Sequence, residues 1–192
     1  MGDEDTWAEW VEGEVIYMSP AATRHAKIAA FLVDVLRDYA LLRKLGMVVT
    51  APFLVRLPVP DRGREPDVVF IKQDRLAEMQ RLYFPGAPDL VVEITSPESI
   101  SRDRGEKFVE YETAGVQEYW LIDPDRQQAE FYHLDEKGRY RLAMAGAAGT
   151  YRSQVISGLW LKIEWLWEDP LPSGVEVLQE LGLVTINKPP AG

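Results

Sequence analysis

The order of apolar and polar positions predicts short β-strands around two amphipathic helices. Residues 11–19, VEGEVIYMS, are typical of a strand pair that turns at a glycine. Between residues 21 and 46 the apolar side chains recur at helical spacing, which predicts a helix closed by Gly46. The apolar positions of this helix are Ile28, Phe31, Leu32, Val35, Leu36 and Tyr39.

Further strands are predicted in the middle of the chain, on either side of a charged turn. Residues 47–58 and 66–71 have strand composition, and the turn between them is DRGRE at 61–65. A polar segment with helical potential, 74–82, precedes the apolar strand 89–96, DLVVEITS.

A second helix is predicted to begin at Ser99 or Ser101, either of which can cap it, and to end at Gly115. The last twenty residues, rich in Pro and Gly, are expected to wrap around the domain or to hang free. Between the second predicted helix and the last twenty residues, strands are predicted at 118–123, 129–134, 139–145, 151–156 and 159–167.

This order of elements predicts an α/β fold, in which helices flank a mixed β-sheet and extra β-hairpins follow at the C-terminus. No internal repeat or low-complexity linker divides the chain, so we expect one domain over residues 1–192. The alternating Trp160, Trp165 and Trp167 are expected to close the core or a subunit interface.

Composition excludes several classes of chemistry. Apolar residues make up 46% of the 192 residues and charged residues 27%, as in globular proteins. With no cysteine, the chain has no disulfide, thiolate metal site or cysteine nucleophile. The acidic start does not resemble a secretory signal, and no 18 apolar residues follow one another. We therefore expect a cytoplasmic protein without a membrane segment.

The formal charge of -10 argues against a protein that grips phosphate backbones. The acids are concentrated at the ends, however, and residues 21–160 hold 20 acidic and 19 basic residues. Segment 22–64 is locally basic, which allows either a nucleic-acid-binding face or an ordinary solvated helix surface.

One carboxylate, Glu93, lies within an apolar strand. A buried charge without a partner is costly, so such a residue is normally paired, protonated or bound to metal. If strands 66–71 and 89–96 are neighbours, Asp67 approaches Glu93 at one end of the sheet. Two adjacent carboxylates suit a hard cation such as Mg²⁺ and metal-assisted hydrolysis of a phosphodiester. The alternative is that Asp67 caps a turn and Glu93 pairs with an arginine.

Lys107 is the amine best placed to lie beside these two acids. Ile100, Arg104, Lys107 and Tyr111 share one face of the second predicted helix. From this face the ammonium can reach Glu93, neutralise developing phosphate charge and orient or help deprotonate the attacking water. The alternative is an ordinary salt bridge with Asp103, one turn earlier.

Four stretches together resemble a known family. They are GEVIYMSPAATRHAKIAAFL, EPDVVFI, PDLVVEITSPES and RDRGEKFVEYETAGVQEYWLIDP. The chain is similar to the Uma-type putative restriction endonucleases of the PD-(D/E)XK nuclease superfamily. The similarity spans most of residues 13–135, taken as the core, and leaves 136–192 as hairpins and tail. It implies a restriction-endonuclease-like sheet with metal-binding acids on adjacent strands.

The resemblance also implies roles for individual residues. Asp67 and Glu93 match the two metal-binding acids, but Thr95 stands where the superfamily has its lysine. In similar proteins the amine comes from the neighbouring helix, and Lys107 is the matching position. Glu14 matches a further acidic residue of the family, and it is either a metal ligand or an exposed hairpin carboxylate. His25 matches a histidine of the family. It is either a catalytic group that contacts phosphate or metal-bound water, or a structural residue. Asp103 is assigned from its position and not from the resemblance: it is either an acid at the start of a helix or an orienting partner of Lys107.

These residues lead to two main hypotheses, and a third, a dimeric scaffold of unknown ligand, would gain ground if neither metal nor DNA bound. The first is an endodeoxyribonuclease that uses Mg²⁺ or Mn²⁺, acts on DNA and forms a homodimer. The second is a catalytically inactive protein of the same fold that binds nucleic acid or a protein partner. The second is motivated by the absence of Lys at position 95 and by the acidic total charge.

Overall fold

The computed structural model describes residues 8–11, 14–17, 20–59, 61–96 and 99–185, with side chains from residue 23 onward. No helix in these ranges combines the length and the apolar character that a membrane span requires. The helices are α1 (Pro20–Arg43), α2 (Ile100–Arg104), α3 (Glu106–Ala114) and α4 (Gly174–Glu180). The strands are β1 (Ala8–Val11), β2 (Glu14–Tyr17), β3 (Gly46–Thr50), β4 (Leu54–Pro58), β5 (Asp61–Arg64), β6 (Val68–Lys72), β7 (Tyr83–Pro85), β8 (Leu90–Ile94), β9 (Glu118–Asp123), β10 (Gln128–Leu134), β11 (Tyr140–Gly146), β12 (Thr150–Arg152) and β13 (Trp160–Lys162).

The predicted α/β fold with a mixed sheet is confirmed. Six strands form the main sheet in the order β11-β10-β9-β8-β6-β3. The β8–β9 pair is parallel and the other pairs are antiparallel. Successive side chains of β8 point to opposite faces, so Val92 packs in the core beneath α1, whereas Val91 packs with Tyr111 of α3.

Helix α1 ends earlier than predicted. It stops at Arg43, and Lys44 takes the left-handed conformation with φ 55°. Gly46 is the first residue of β3 and does not close the helix. A Cβ atom at this position would lie 2.1 Å from the carbonyl oxygen of Ile71, so the close approach of two strands requires glycine here.

Two predictions for the middle of the chain are wrong. The predicted strand 47–58 is two strands in different sheets, β3 and β4, because Pro52 between them has no N–H to donate. The charged turn 61–65 is largely strand β5, which pairs with β4 in a separate three-stranded sheet of order β5-β4-β7. Arg64 of this strand is not a solvated turn residue, since it reaches Glu110 of α3, whereas Arg62 remains exposed.

The C-terminal region contains hairpins as predicted, together with a helix that was not predicted. β10 and β11 extend the main sheet, and β12 pairs with β13. The predicted strand 159–167 continues after β13 as a 3-10 helix that buries Trp165. Helix α4 lies within the tail expected to wrap or hang free: Ser173 and Glu176 form a capping box, and two apolar side chains of α4 are buried in the α1 core.

Candidate active site

The antiparallel pairing of β6 and β8 places Asp67 beside Glu93. Val68 is the register partner of Val92, so the preceding residue of one strand lies opposite the following residue of the other. Asp67 is held there by its own carboxylate, whose Oδ2 accepts a hydrogen bond of 2.7 Å from the backbone N–H of Ile94. Two acids therefore stand at one end of the sheet.

Glu93 is almost completely buried, with 2% of its surface exposed. Its Oε1 accepts a hydrogen bond of 2.7 Å from the Tyr111 hydroxyl, and its Oε2 lies 2.9 Å from Lys107 Nζ. Burial raises the pKa of Glu93 to about 7; the Lys107 charge acts in the opposite direction and the Asp67 charge in the same direction. The alternative in which Glu93 pairs with an arginine is not what the structure shows.

Lys107 contacts both of its predicted partners at once. Its Nζ lies 2.9 Å from Glu93 Oε2 and 2.9 Å from Asp103 Oδ1. Burial alone lowers the pKa of the Lys107 amine, but the two carboxylates outweigh burial, so the pKa is raised. The single helix predicted for this segment is wrong, because it breaks at Gly105 into α2, which carries Asp103, and α3, which carries Lys107.

His25 approaches the other acid from α1. Its Nε2 lies 3.2 Å from Asp67 Oδ2, and this hydrogen bond is the main reason why the pKa of His25 is raised. Both side chains line a groove of about 440 Å³, whose wall on α1 includes the small side chains of Ala26 and Ala29. Asp67 is thus reachable from the surface, while Glu93 lies deeper.

Glu14 and Thr95 are the other two positions that the sequence connects with the site. Glu14 is the first residue of β2, opposite Val11, and its side chain lies outside the described residues. Thr95 is buried next to the parallel pair β8–β9, where its N–H donates to the carbonyl of Ile122. No amine stands at position 95, and Lys107 is the amine in contact with Glu93.

Tyr111 is a site residue whose role was not foreseen. The sequence places it on the same helical face as Lys107, four residues on, and its buried hydroxyl orients Glu93. Helical spacing was the available signal, but an aromatic residue on such a face usually belongs to the core.

The donor atoms suit a hard cation that keeps much of its water. Within the described ranges, no three His, Asp or Glu side chains converge closely enough to enclose a metal. Mg²⁺ needs only one or two carboxylates, since water and substrate oxygens complete its octahedron. The Asp67 charge contributes to the raised pKa of Glu93, and a bound cation would relieve this repulsion. In number and chemistry, the two carboxylates suit such an ion.

The chain was also compared with known proteins. No curated protein matches it. The crystal structure of a putative nuclease belonging to DUF820, from Anabaena variabilis, has the same fold, with a TM-score of 0.65 and 20% sequence identity over 87% of this chain and 93% of that one. A family profile described as "Uma2: Putative restriction endonuclease" matches residues 2–164. Because this match covers most of the chain, the protein belongs to the Uma2 family.

Proposed function

We propose that this protein is a metal-dependent endonuclease that hydrolyses phosphodiester bonds of DNA. The observation that carries the proposal is the contact between Lys107 Nζ and Glu93 Oε2, at 2.9 Å, beside a second acid on the neighbouring strand. The endonuclease description of its family and the nuclease fold of the Anabaena variabilis protein support the same class of activity.

Each site residue has a role in this proposal. Asp67 and Glu93 hold the divalent ion, Mg²⁺ or Mn²⁺, and Glu14 is a candidate third ligand. When bound, such an ion polarises the phosphate and lowers the pKa of its water. The Lys107 ammonium stabilises negative charge that develops on the phosphate and orients the attacking water. His25, hydrogen-bonded to Asp67, stands where it can contact the phosphate or a water molecule.

Some basic residues of segment 22–64 are paired with acidic side chains of the protein, which balances part of their charge. Arg62 and Arg64 both contact Glu110, and Arg56 contacts Asp61. With a total charge of -10, we expect few phosphate contacts and therefore a shallow dependence of DNA affinity on salt.

Cleavage of supercoiled plasmid DNA tests the proposal. Nicking is expected in Mg²⁺ or Mn²⁺ with wild-type protein, but not with the Asp67→Ala/Glu93→Ala double variant. Glu78→Gln is a matched control, because it removes an acid from an exposed ion pair with Arg75. Equal nicking by the wild-type protein and the double variant over a range of salt concentrations would refute the activity.

Calorimetric titration with Mg²⁺ separates the roles of the two charged partners. Glu93→Gln is expected to lower both metal affinity and rate, because it removes a ligand. Lys107→Ala is expected to lower the rate much more than metal affinity. Equal loss of metal affinity in both variants contradicts these roles, and a wild-type protein that binds DNA but no Mg²⁺ favours the inactive alternative. The homodimer and the single domain over residues 1–192 stay predictions.

A further inference from the structure

One ammonium is shared by two buried carboxylates in the candidate site. The side chains of Glu93 and Asp103 are 3% and 1% exposed, and that of Lys107, which lies 2.9 Å from both, is 12% exposed. When both carboxylates are ionised, the single ammonium does not balance their charge. A second carboxylate near Lys107 therefore needs an explanation.

The ordinary explanations for Asp103 are insufficient. An acid four residues before a lysine stabilises an exposed helix only weakly, and an acid in the first turn adds a similarly small amount through the helix dipole. The free-energy cost of burying a carboxylate is much larger than either. Moreover, helix α2 has only five residues and stops before Lys107, so the pair does not lie along one continuous helix.

The backbone fixes the position of Asp103 without help from its carboxylate. The Tyr119 hydroxyl donates a hydrogen bond of 3.1 Å to the Asp103 carbonyl oxygen. The break at Gly105 is tight, since a Cβ atom there would lie 2.8 Å from the carbonyl oxygen of Ser101. The backbone that carries the Asp103 carboxylate is therefore fixed beside Lys107, whose Nζ lies 2.9 Å from both carboxylates.

We infer that Asp103 is a positioning residue, which holds the Lys107 ammonium at a fixed point beside Glu93. The inference rests on the proposed function, in which that ammonium faces the phosphate. A lysine side chain has many accessible rotamers, and a second contact besides the one with Glu93 restricts them. Without Asp103, the ammonium is free to turn fully onto Glu93 or towards solvent.

Rate measurements on matched variants test whether Asp103 acts through Lys107. Asp103→Asn keeps the shape and removes the charge, and it is expected to lower kcat about 10–100-fold with little change in KM. Asp103→Glu is expected to recover part of the rate, and the control Glu78→Gln to leave it unchanged. In a Lys107→Ala background, Asp103→Asn is expected to cause no further loss, because its partner is already gone.

A measurement on the metal-free protein tests the position independently of cleavage. The ¹⁵N resonance of the Lys107 ammonium is expected to be observable in the wild-type protein and lost in Asp103→Asn, while the circular dichroism spectrum is unchanged. The inference is overturned if Asp103→Asn changes neither the resonance nor the cleavage rate. It is also overturned if Asp103→Asn lowers the rate by the same factor in the Lys107→Ala background as in the wild-type protein. Loss of the resonance in a protein that cleaves no DNA supports the position of the ammonium and refutes the proposed function.

Discussion

Replacing Lys107 by alanine removes the cation that two buried carboxylates share. The pKa of Glu93 is already raised from 4.5 to about 7 with the lysine present, which corresponds to about 3 kcal/mol at 1.36 kcal/mol per unit. Without the ammonium, which acts against this rise, the pKa of Glu93 must increase further. Breaking a buried ion pair by removing one partner costs about 3–5 kcal/mol of folding free energy.

The loss of folding free energy caused by Lys107→Ala is expected to increase with pH. The folded pKa of Glu93 lies above its unfolded value, so the stability that it contributes is fully present below about pH 4.5 and is lost as the pH rises through about 7. Lys107→Ala is therefore expected to cost about 3–5 kcal/mol at pH 8.5 and clearly less at pH 5.5, where Glu93 takes up a proton in the folded protein.

Denaturant unfolding at the two pH values measures this difference. The control is Lys162→Ala, which removes a lysine from a half-exposed pair with Glu180 and should cost at most about 1 kcal/mol at either pH. Adding Glu93→Gln to Lys107→Ala should restore part of the stability at pH 8.5, because only one of the two carboxylates that lost the ammonium, Asp103, then remains. A loss that is independent of pH, or no larger than that of the control, would refute the reasoning.

Three further predictions concern the rest of the fold. The Glu118 carboxylate accepts five hydrogen bonds, so Glu118→Gln should cost about 2–3 kcal/mol, measured by denaturant unfolding, without changing metal affinity. Arg64→Ala should destabilise the protein by about 1–3 kcal/mol at pH 7, because it leaves Glu110 without its bidentate partner. Because Arg64 lowers the pKa of Glu110, the stability that this ion pair contributes is present above about pH 4.5 and disappears as the pH falls through the folded pKa. A destabilisation by Arg64→Ala that persists at pH 3 contradicts this prediction. Gly46→Ala should cost at least about 3 kcal/mol, or abolish expression of folded protein, because its Cβ meets the Ile71 carbonyl; a melting temperature within 2–4 °C of wild type, which corresponds to about 1 kcal/mol, contradicts this.

Much of the site could be predicted because helical and strand periodicity assign side chains to faces. Alternation of side chains along 89–96 was enough to place Glu93 on the opposite face of the strand from Val92. Helical spacing was enough to place Lys107 on the helix face that points to the sheet. The register of β6 and β8 could not be predicted, since it depends on packing between strands that are distant in the sequence. The contact of one ammonium with two carboxylates also depends on the break at Gly105, which the amphipathic pattern does not reveal.

The elements that the sequence predicted wrongly, β5 and α4, have a common physical cause. The sequence DRGR has the composition of a turn, but its backbone pairs with β4 and its arginines find a buried acid on α3. Helix α4 is short and follows a Pro-rich stretch, so its apolar periodicity is weak; the capping box and burial against α1 stabilise it. In both cases tertiary contacts outweigh local composition.

A crystal structure of the protein soaked with Mn²⁺ tests most directly whether Asp67 and Glu93 share a metal ion. If they do, an anomalous peak is expected between the two carboxylates, within about 2.0–2.4 Å of an oxygen of each, with Lys107 Nζ still in contact with Asp103. A fully occupied ion elsewhere, or carboxylates that stay too far apart to share one, would contradict the proposed hydrolytic site.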